Sequence, residues 1–200
     1  MFTSIKTWLV ILCSFLFTNV LLGQVSQADS LALVAIYEAT QGSQWTNNSN
    51  WTSSAKVGTW YGVKAENGRV VELKLNANNL RGTLPSDIGQ LSALKILDLG
   101  NNPIGGNVIN AFTFLKELEE IDLSHTIDPD DDLNEDIGLR GEIAGAFSAM
   151  TNLRYLDVSF SRFTQIRLLF ESELAYFNAE ANIINLLEID TDKVNKIKYL

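Results

Sequence analysis

The chain has 200 residues, of which 46% are hydrophobic and 20% are charged, and its formal net charge is −9 at pH 7. That hydrophobic content is enough to build a core and excludes an intrinsically disordered chain. The excess of negative charge disfavours nucleic acid and anionic membranes as partners.

The first 23 residues predict an export signal. Lys6 supplies a short positive start, and residues 8–22 form an apolar run that falls short of the ~20 residues needed to span a bilayer. We therefore expect residues 1–23 to be a cleaved signal peptide, with the mature chain secreted or at the cell surface and not inserted in a membrane. An uncleaved membrane anchor is the alternative. Cys13 is the one cysteine of the chain, so cleavage would exclude disulfides and cysteine-ligated zinc.

Residues 24–69 predict an N-terminal cap. Residues 29–42 have helical spacing, with Asp29 or Ser30 as the N-cap and Gly42 as the stop. The next segment is polar, yet it contains three tryptophans within sixteen residues that must bury apolar surface: Trp45, Trp51 and Trp60. A Glu66-Asn67-Gly68 turn then leads into the first repeat.

Residues 70–200 are organised by a repeat of about 24 residues with the template LxxLxLxxNxLxGxIPxxLGxLxx. Neither the period of a helix nor that of a strand gives this pattern. The matching residues are Leu73, Leu75, Asn78, Leu80, Gly82, Leu84, Pro85, Ile88, Gly89, Leu91 and Leu94. The asparagine position recurs at Asn102, Thr126, Ser161 and Asn182. Because a hydroxyl can make only part of the hydrogen bonds of an amide, we expect looser coils at Thr126 and Ser161.

These repeats, together with the helix and the Trp60-Tyr61-Gly62-Val63 motif before them, resemble plant-type leucine-rich repeats. Such repeats occur in plant receptor ectodomains and in secreted bacterial proteins, and the cap without a cysteine pair is closer to the bacterial ones. The resemblance implies an α/β fold: a right-handed solenoid of about five coils with a parallel concave sheet and an N-terminal helix and tryptophan-rich cap. Ile197 could start a further strand, so we expect either a truncated fragment or an atypical end.

An acidic insertion interrupts the repeats at residues 127–138, where one coil is eleven residues longer than the template. Within it, acidic residues alternate in a manner that resembles calcium-binding loops: Asp128, Asp130, Asp132 and Asp136. Leu133 and Leu139 stand where such a loop needs glycine and glutamate, so any calcium site should be weak. A solvated acidic loop is the alternative, and the sequence suggests no other cofactor.

In a leucine-rich repeat, the positions between the strand leucines face outward on the concave sheet. In the later coils these positions, with the corner residues that follow them, carry the aromatic and polar side chains that we predict to bind a partner: His125, Tyr155, Asp157, Phe160, Tyr176 and Asn178. The alternative is that the aromatic rings only cover the last coils. A stacked column of carboxylates, Asp98, Asp122 and Asp157, is habitual in these strands and does not indicate catalysis.

The sequence has neither a phosphate-binding loop nor a nucleophile elbow, and it has one histidine. We therefore expect a non-enzymatic module that presents a concave surface to an extracellular protein or peptide. Two alternatives remain: a calcium-dependent adhesion or glycan-binding module, and the recognition part of a longer sensor or enzyme.

Overall fold

The computed structural model describes residues 24–107, 109–127, 138–143, 147, 150–168, 174–189 and 197–199. The predicted signal peptide and the predicted calcium ligands Asp128, Asp130, Asp132 and Asp136 lie outside these residues. Within the described ranges, no helix is both long enough and apolar enough to cross a bilayer.

The cap begins with helix α1, Gln27–Ala39. The predicted N-cap was wrong: the hydroxyl of Ser26 accepts the Asp29 amide hydrogen bond at 3.1 Å, one turn earlier than expected. The helix ends three residues before Gly42, since Gln41 adopts a left-handed conformation with φ 56°. Gly42 has another role, because a Cβ there would lie 2.1 Å from the ring of Tyr37.

Asp29 is fully buried and joins the cap to the first repeat strand. Its carboxylate accepts the Val70 amide at 2.7 Å and the Arg69 guanidinium at 3.0 Å. A buried charge is tolerated when it is paired and hydrogen-bonded in this way. The residue expected to cap the helix therefore fixes the helix against the sheet.

The three predicted tryptophans are buried and pack in a row, as expected for a cap core. Trp51 lies between the other two, with ring centroids 4.8 Å from Trp45 and 5.1 Å from Trp60. Each indole N–H donates to a backbone carbonyl, so the apolar rings are buried without leaving a polar group unpaired: Trp45 to Thr40, Trp51 to Tyr61 and Trp60 to Ala55.

Short strands make up most of the remaining secondary structure. They are β1 Val63–Glu66, β2 Arg69–Lys74, β3 Gly82–Thr83, β4 Ile96–Asp98, β5 Ile104–Asn107, β6 Glu120–Asp122, β7 Gly138–Ile143, β8 Tyr155–Asp157, β9 Arg162–Leu168, β10 Tyr176–Asn178, β11 Leu186–Ile189 and β12 Ile197–Tyr199. A short helix, α2, spans Ile109–Phe112, and 3₁₀ turns cover Gly42–Gln44, Val57–Thr59 and Ser86–Gln90.

The strands form two sheets. The larger, concave sheet has the order β1-β2-β4-β6-β8-β10-β12, and the second has the order β11-β9-β7-β5-β3. β1 and β2 form an antiparallel hairpin around the predicted turn, where Asn67 and Gly68 have φ of 50° and 75°, and the other paired strands are parallel. The predicted strand rows are all present, and β12 adds the further strand expected at Ile197. The sequence did not predict the second sheet.

The core lies between the two sheets, which confirms the predicted solenoid. The strand leucines and their equivalents are at most 1% exposed: Leu73, Leu75, Leu97, Leu99, Ile121, Leu123, Leu156, Val158, Phe177 and Ala179. The backbone conformation explains why the Leu-x-Gly motif needs glycine. Gly82, Gly106 and Gly141 all have φ between 112° and 121°, a region that residues with a side chain disfavour.

Asn102 is a fully buried asparagine that bonds one coil to the next. Its amide donates to the carbonyls of Leu75, Leu99 and Gly100, and its oxygen accepts the amides of Asn78 and Leu80. This side chain therefore satisfies loop groups that have no strand partner.

The next two equivalent positions carry hydroxyls that work as a pair, and the last one, Asn182, carries an amide again. Thr126 and Ser161 hydrogen-bond each other at 2.8 Å. Thr126 also accepts the Leu139 amide, and Ser161 donates to the carbonyls of Leu123 and Ser159. In the described structure these two hydroxyls together reach three backbone groups, where Asn102 alone reaches five. Whether these coils are looser stays a prediction.

Candidate partner-binding surface

The outward side chains of the concave sheet form columns, because the parallel strands β2, β4, β6, β8 and β10 are in register. The first column contains Glu72, Ile96, Glu120, Tyr155 and Tyr176. The second contains Lys74, Asp98, Asp122, Asp157 and Asn178. Both columns follow the predicted order.

Two stacked aromatic pairs flank the later strands. In the tyrosine pair, the rings of Tyr155 and Tyr176 lie 4.5 Å apart and 5° from parallel, at the start of β8 and β10. In the histidine–phenylalanine pair, His125 and Phe160 lie 4.4 Å apart at 17°, just beyond the other ends of β6 and β8. The structure thus brings the four predicted aromatic side chains together as two pairs around one strip of sheet.

Phe160 occupies a backbone conformation that is unusual for so large a residue. Its φ is 50° and its side chain is 37% exposed. The same left-handed corner recurs in every coil, at Ala77, Asn101, His125 and Ala181, with φ between 50° and 56°. The repeat therefore imposes the conformation, which suits asparagine and histidine better than most other side chains. Phe160 is the bulky exception among these corner residues.

Asp157 is hydrogen-bonded to one member of the tyrosine pair, Tyr176. Its carboxylate accepts the Tyr176 hydroxyl at 3.3 Å, the Asn178 amide at 3.2 Å, and both the backbone amide and the hydroxyl of Ser159. Asp157 and Asn178 are only 7% and 8% exposed. These two predicted contact residues are therefore buried, and both belong to the hydrogen-bond network of the Tyr176 hydroxyl. Whether they also touch a partner stays a prediction.

Burial raises the pKa of both tyrosines, and the negative charge of Asp157 raises it further. Both hydroxyls therefore remain protonated at physiological pH. The hydroxyl of Tyr176 can act as the donor to Asp157 under all physiological conditions.

The aspartates of the second column have a structural task, as predicted for this strand pattern. Oδ1 of each accepts the backbone amide two residues further on: Gly100 for Asp98, Ser124 for Asp122 and Ser159 for Asp157. Such a bond stabilises the turn by which the chain leaves the strand. The recurrence of aspartate thus follows from the repeat geometry.

A shallow cleft of about 270 Å³ lies on the sheet beside the tyrosine pair. We call it the acidic groove and define it by its lining side chains: Lys74, Ile96, Asp98, Glu120, Asp122 and Tyr155. Burial raises the pKa of Asp122, and the neighbouring carboxylates of Asp98 and Asp157 add to this, although hydrogen bonds from Ser124 oppose it. The predicted contact residues did not include Glu120, although its outward position one strand before Tyr155 was visible in the sequence.

Three further clefts are lined by none of the predicted contact residues. One of about 460 Å³ adjoins the start of α1, and one of about 470 Å³ lies over the second sheet. Among the side chains that the structure describes, no three acidic, histidine or cysteine residues converge as a metal site would require.

Comparison with known proteins agrees with this geometry. The family model described as Leucine Rich Repeat matches residues 93–115. A probable leucine-rich repeat receptor-like protein kinase of Arabidopsis thaliana is 37% identical over 84 residues, which is 36% of this chain and 9% of that protein. The match thus spans about a tenth of the length of this curated relative.

Solved structures share the fold. The ectodomain of the receptor kinase SOBIR1 from Arabidopsis thaliana superposes with a TM-score of 0.60 at 22% identity, over 87% of this chain and 98% of that one. The Arabidopsis receptor kinase HAESA, solved with the peptide hormone IDA and the co-receptor SERK1, gives a TM-score of 0.62 at 21% identity, over 80% of this chain and 26% of that one. At such identities the likeness concerns the fold alone. The chain thus contains a leucine-rich repeat, has the solenoid fold of such repeats, and is similar to plant receptor kinases over a part of their length.

Proposed function

We propose that the concave sheet binds an extracellular protein or peptide and that the chain is not itself an enzyme. The observation that carries this proposal is the tyrosine pair, in which Tyr176 is hydrogen-bonded to Asp157, together with the exposed ring of Phe160. Aromatic rings on a rigid scaffold are typical interface anchors, because they bury a large area and lose little side-chain entropy on binding. HAESA, solved with a peptide hormone, supports the same use of a related fold.

The location and the wider context are part of the same proposal. The apolar segment 8–22 supports export, the relatives support a cell-surface or secreted protein, and the cysteine-free cap favours a bacterial one. The alternative that the chain is the recognition part of a longer sensor gains support from its match to a small part of receptor-like kinases. Calcium-dependent adhesion would rest on the insertion, at Asp128, Asp130, Asp132 and Asp136.

Site-specific photo-crosslinking tests the surface directly. We would place p-benzoylphenylalanine at position 160 and, as a matched control, at position 114. Phe114 is 62% exposed and lies between α2 and β6, near Gly89 and away from the concave sheet. With the extracellular fraction of the source organism, position 160 should give a crosslinked protein or peptide and position 114 should not. Equal products from both positions, or none from position 160, would overturn the proposal.

The crosslinked partner then allows a quantitative test with two variants. Tyr155→Ala combined with Tyr176→Ala should weaken binding by about thirtyfold or more, as expected when an interface anchor is truncated. Phe160→Asn should also weaken binding, while stability changes by less than about 1 kcal/mol, because asparagine suits the left-handed corner and offsets the lost ring stacking. Unchanged affinity in both variants would place the interface elsewhere.

A further inference from the structure

We propose that the acidic groove receives a lysine or arginine side chain of the bound protein or peptide. This inference rests on the proposed function and specifies the chemistry of the partner. The acidic groove would hold the basic side chain. The adjoining tyrosine pair would contact an apolar residue next to that side chain in the partner.

The ring of Tyr155 closes one end of the groove. One of its faces is covered by Tyr176, which lies on β10. Because the strands are ordered β6-β8-β10, the opposite face is directed toward Glu120 on β6, where the ring lines the groove. The face of an aromatic ring carries partial negative charge and attracts organic cations, above all when the site is partly desolvated.

Carboxylates form the adjoining part of the groove. Asp98 and Asp122 are register neighbours on β4 and β6, at the strand spacing of about 4.8 Å, and Glu120 is the exposed residue beside Asp122. In the described structure none of the three takes part in a salt bridge. Their mutual repulsion would be relieved by a bound cation.

Lys74 closes the other end of the groove without neutralising it. Its ammonium lies 2.9 Å from Glu72, which also contacts Lys64 at 2.8 Å, and Lys64 in turn contacts Glu66 at 3.0 Å. These two lysines and two glutamates balance one another, so Lys74 does not neutralise the carboxylates of the groove. Three carboxylates and one aromatic face therefore remain for a ligand in a protein whose net charge is −9. This charge complementarity fits a guanidinium or ammonium group and disfavours an acidic or neutral side chain.

A selection from a random peptide display library on the full chain tests this chemistry with a defined probe. Three proteins are compared: the unchanged chain, the groove variant Glu120→Gln with Asp122→Asn, and the control Glu38→Gln with Asp87→Asn. The control removes the same charge at exposed positions on α1 and on the Ser86–Gln90 turn. Asparagine at 122 keeps the Oδ1 acceptor that Ser124 uses, so the fold of the strand end is preserved.

Peptides selected by the unchanged chain and by the control should be enriched in lysine or arginine, and those selected by the groove variant should not. For the best peptide, replacing its basic residue by citrulline should weaken binding about tenfold with the unchanged chain and less than twofold with the groove variant. Binders without basic enrichment, or the same citrulline effect in both proteins, would overturn the inference and leave the proposed function standing. If no peptide binds any of the three proteins, both proposals fail.

Discussion

The early and the late coils of the solenoid use the same strands but different side chains. Around Asn78 and Asn102, buried amides bond neighbouring coils, and the outer face of the sheet carries ion pairs such as Lys64 with Glu72 at 2.8 Å. Further along, the hydroxyls of Thr126 and Ser161 replace the amide until Asn182 restores it, and aromatic rings replace the ion pairs. The fold is the same in both regions, so the two regions differ in their side chains and in the role that those side chains have.

This contrast indicates that the early and the late coils have different roles. The outer ion pairs of the early coils are exposed, and exposed pairs are worth about 0–1 kcal/mol, so the early coils owe their rigidity to buried amide bonds and to the cap. The coils at Thr126 and Ser161 have fewer such bonds than the coil at Asn102, and the late coils present stacked aromatic rings on the outer face. The early region therefore serves as the platform, and the late region serves as the candidate binding surface.

Removing the link between cap and platform should have the largest effect on stability. Asp29→Ala leaves the buried Val70 amide unpaired and removes the bonds of Asp29 to the Arg69 guanidinium, which is 37% exposed and still reaches Ser92. Hydrogen bonds to a charged group contribute about 1.5–3 kcal/mol each, so we expect a loss of about 3–5 kcal/mol. Urea denaturation should show a midpoint lowered accordingly. Asp87→Ala, at an exposed position, is the control and should change stability by less than about 0.5 kcal/mol. A small effect of Asp29→Ala would mean that the repeats are stable without this link.

Substitutions at the recurring asparagine position compare the stability of an early coil with that of a late coil. Asn102→Ala removes five hydrogen bonds and leaves buried backbone groups unpaired, so we expect a loss of about 2–4 kcal/mol. Ser161→Ala removes bonds to Thr126, Leu123 and Ser159, and should cost about 1–2 kcal/mol. Both are measured by urea denaturation. Equal losses would show that the hydroxyl coils are held as tightly as the amide coils.

The features that depend on a local sequence pattern were predicted from the sequence. The leucines of the concave strands, the tryptophan core of the cap and the Asn67-Gly68 turn follow from local patterns that a single segment contains. The second sheet could not be predicted in this way, since segments such as Gly82–Thr83 have no strand-like pattern of their own. They become strands because stacked coils place one such segment beside the next.

The candidate site was predicted in part for a similar reason. The repeat register identified Tyr155 and Tyr176 as outward strand positions, and His125 and Phe160 as corner residues that follow the strands. The burial of Asp157 could not be read from its column, since it depends on how side chains of the neighbouring strand, such as Tyr176 and Asn178, pack against it. In the same way, Asp29 resembled a helix cap, and only its distance to Arg69, forty residues away, shows its actual role.

The smallest expected effect concerns the charge of Asp122, at the boundary between the two regions. A raised pKa means that the folded state binds this proton more tightly than the unfolded chain, so the ionised carboxylate destabilises the fold. Asp122→Asn should therefore increase stability at pH 7, by less than about 1 kcal/mol. The gain should shrink as the pH falls through the folded-state pKa and disappear below about 4, near the ordinary aspartate value. Urea midpoints across this range measure it, with Asp87→Asn as the control. A loss of stability at pH 7 would mean that the Asp122 charge, like that of Asp29, serves the platform.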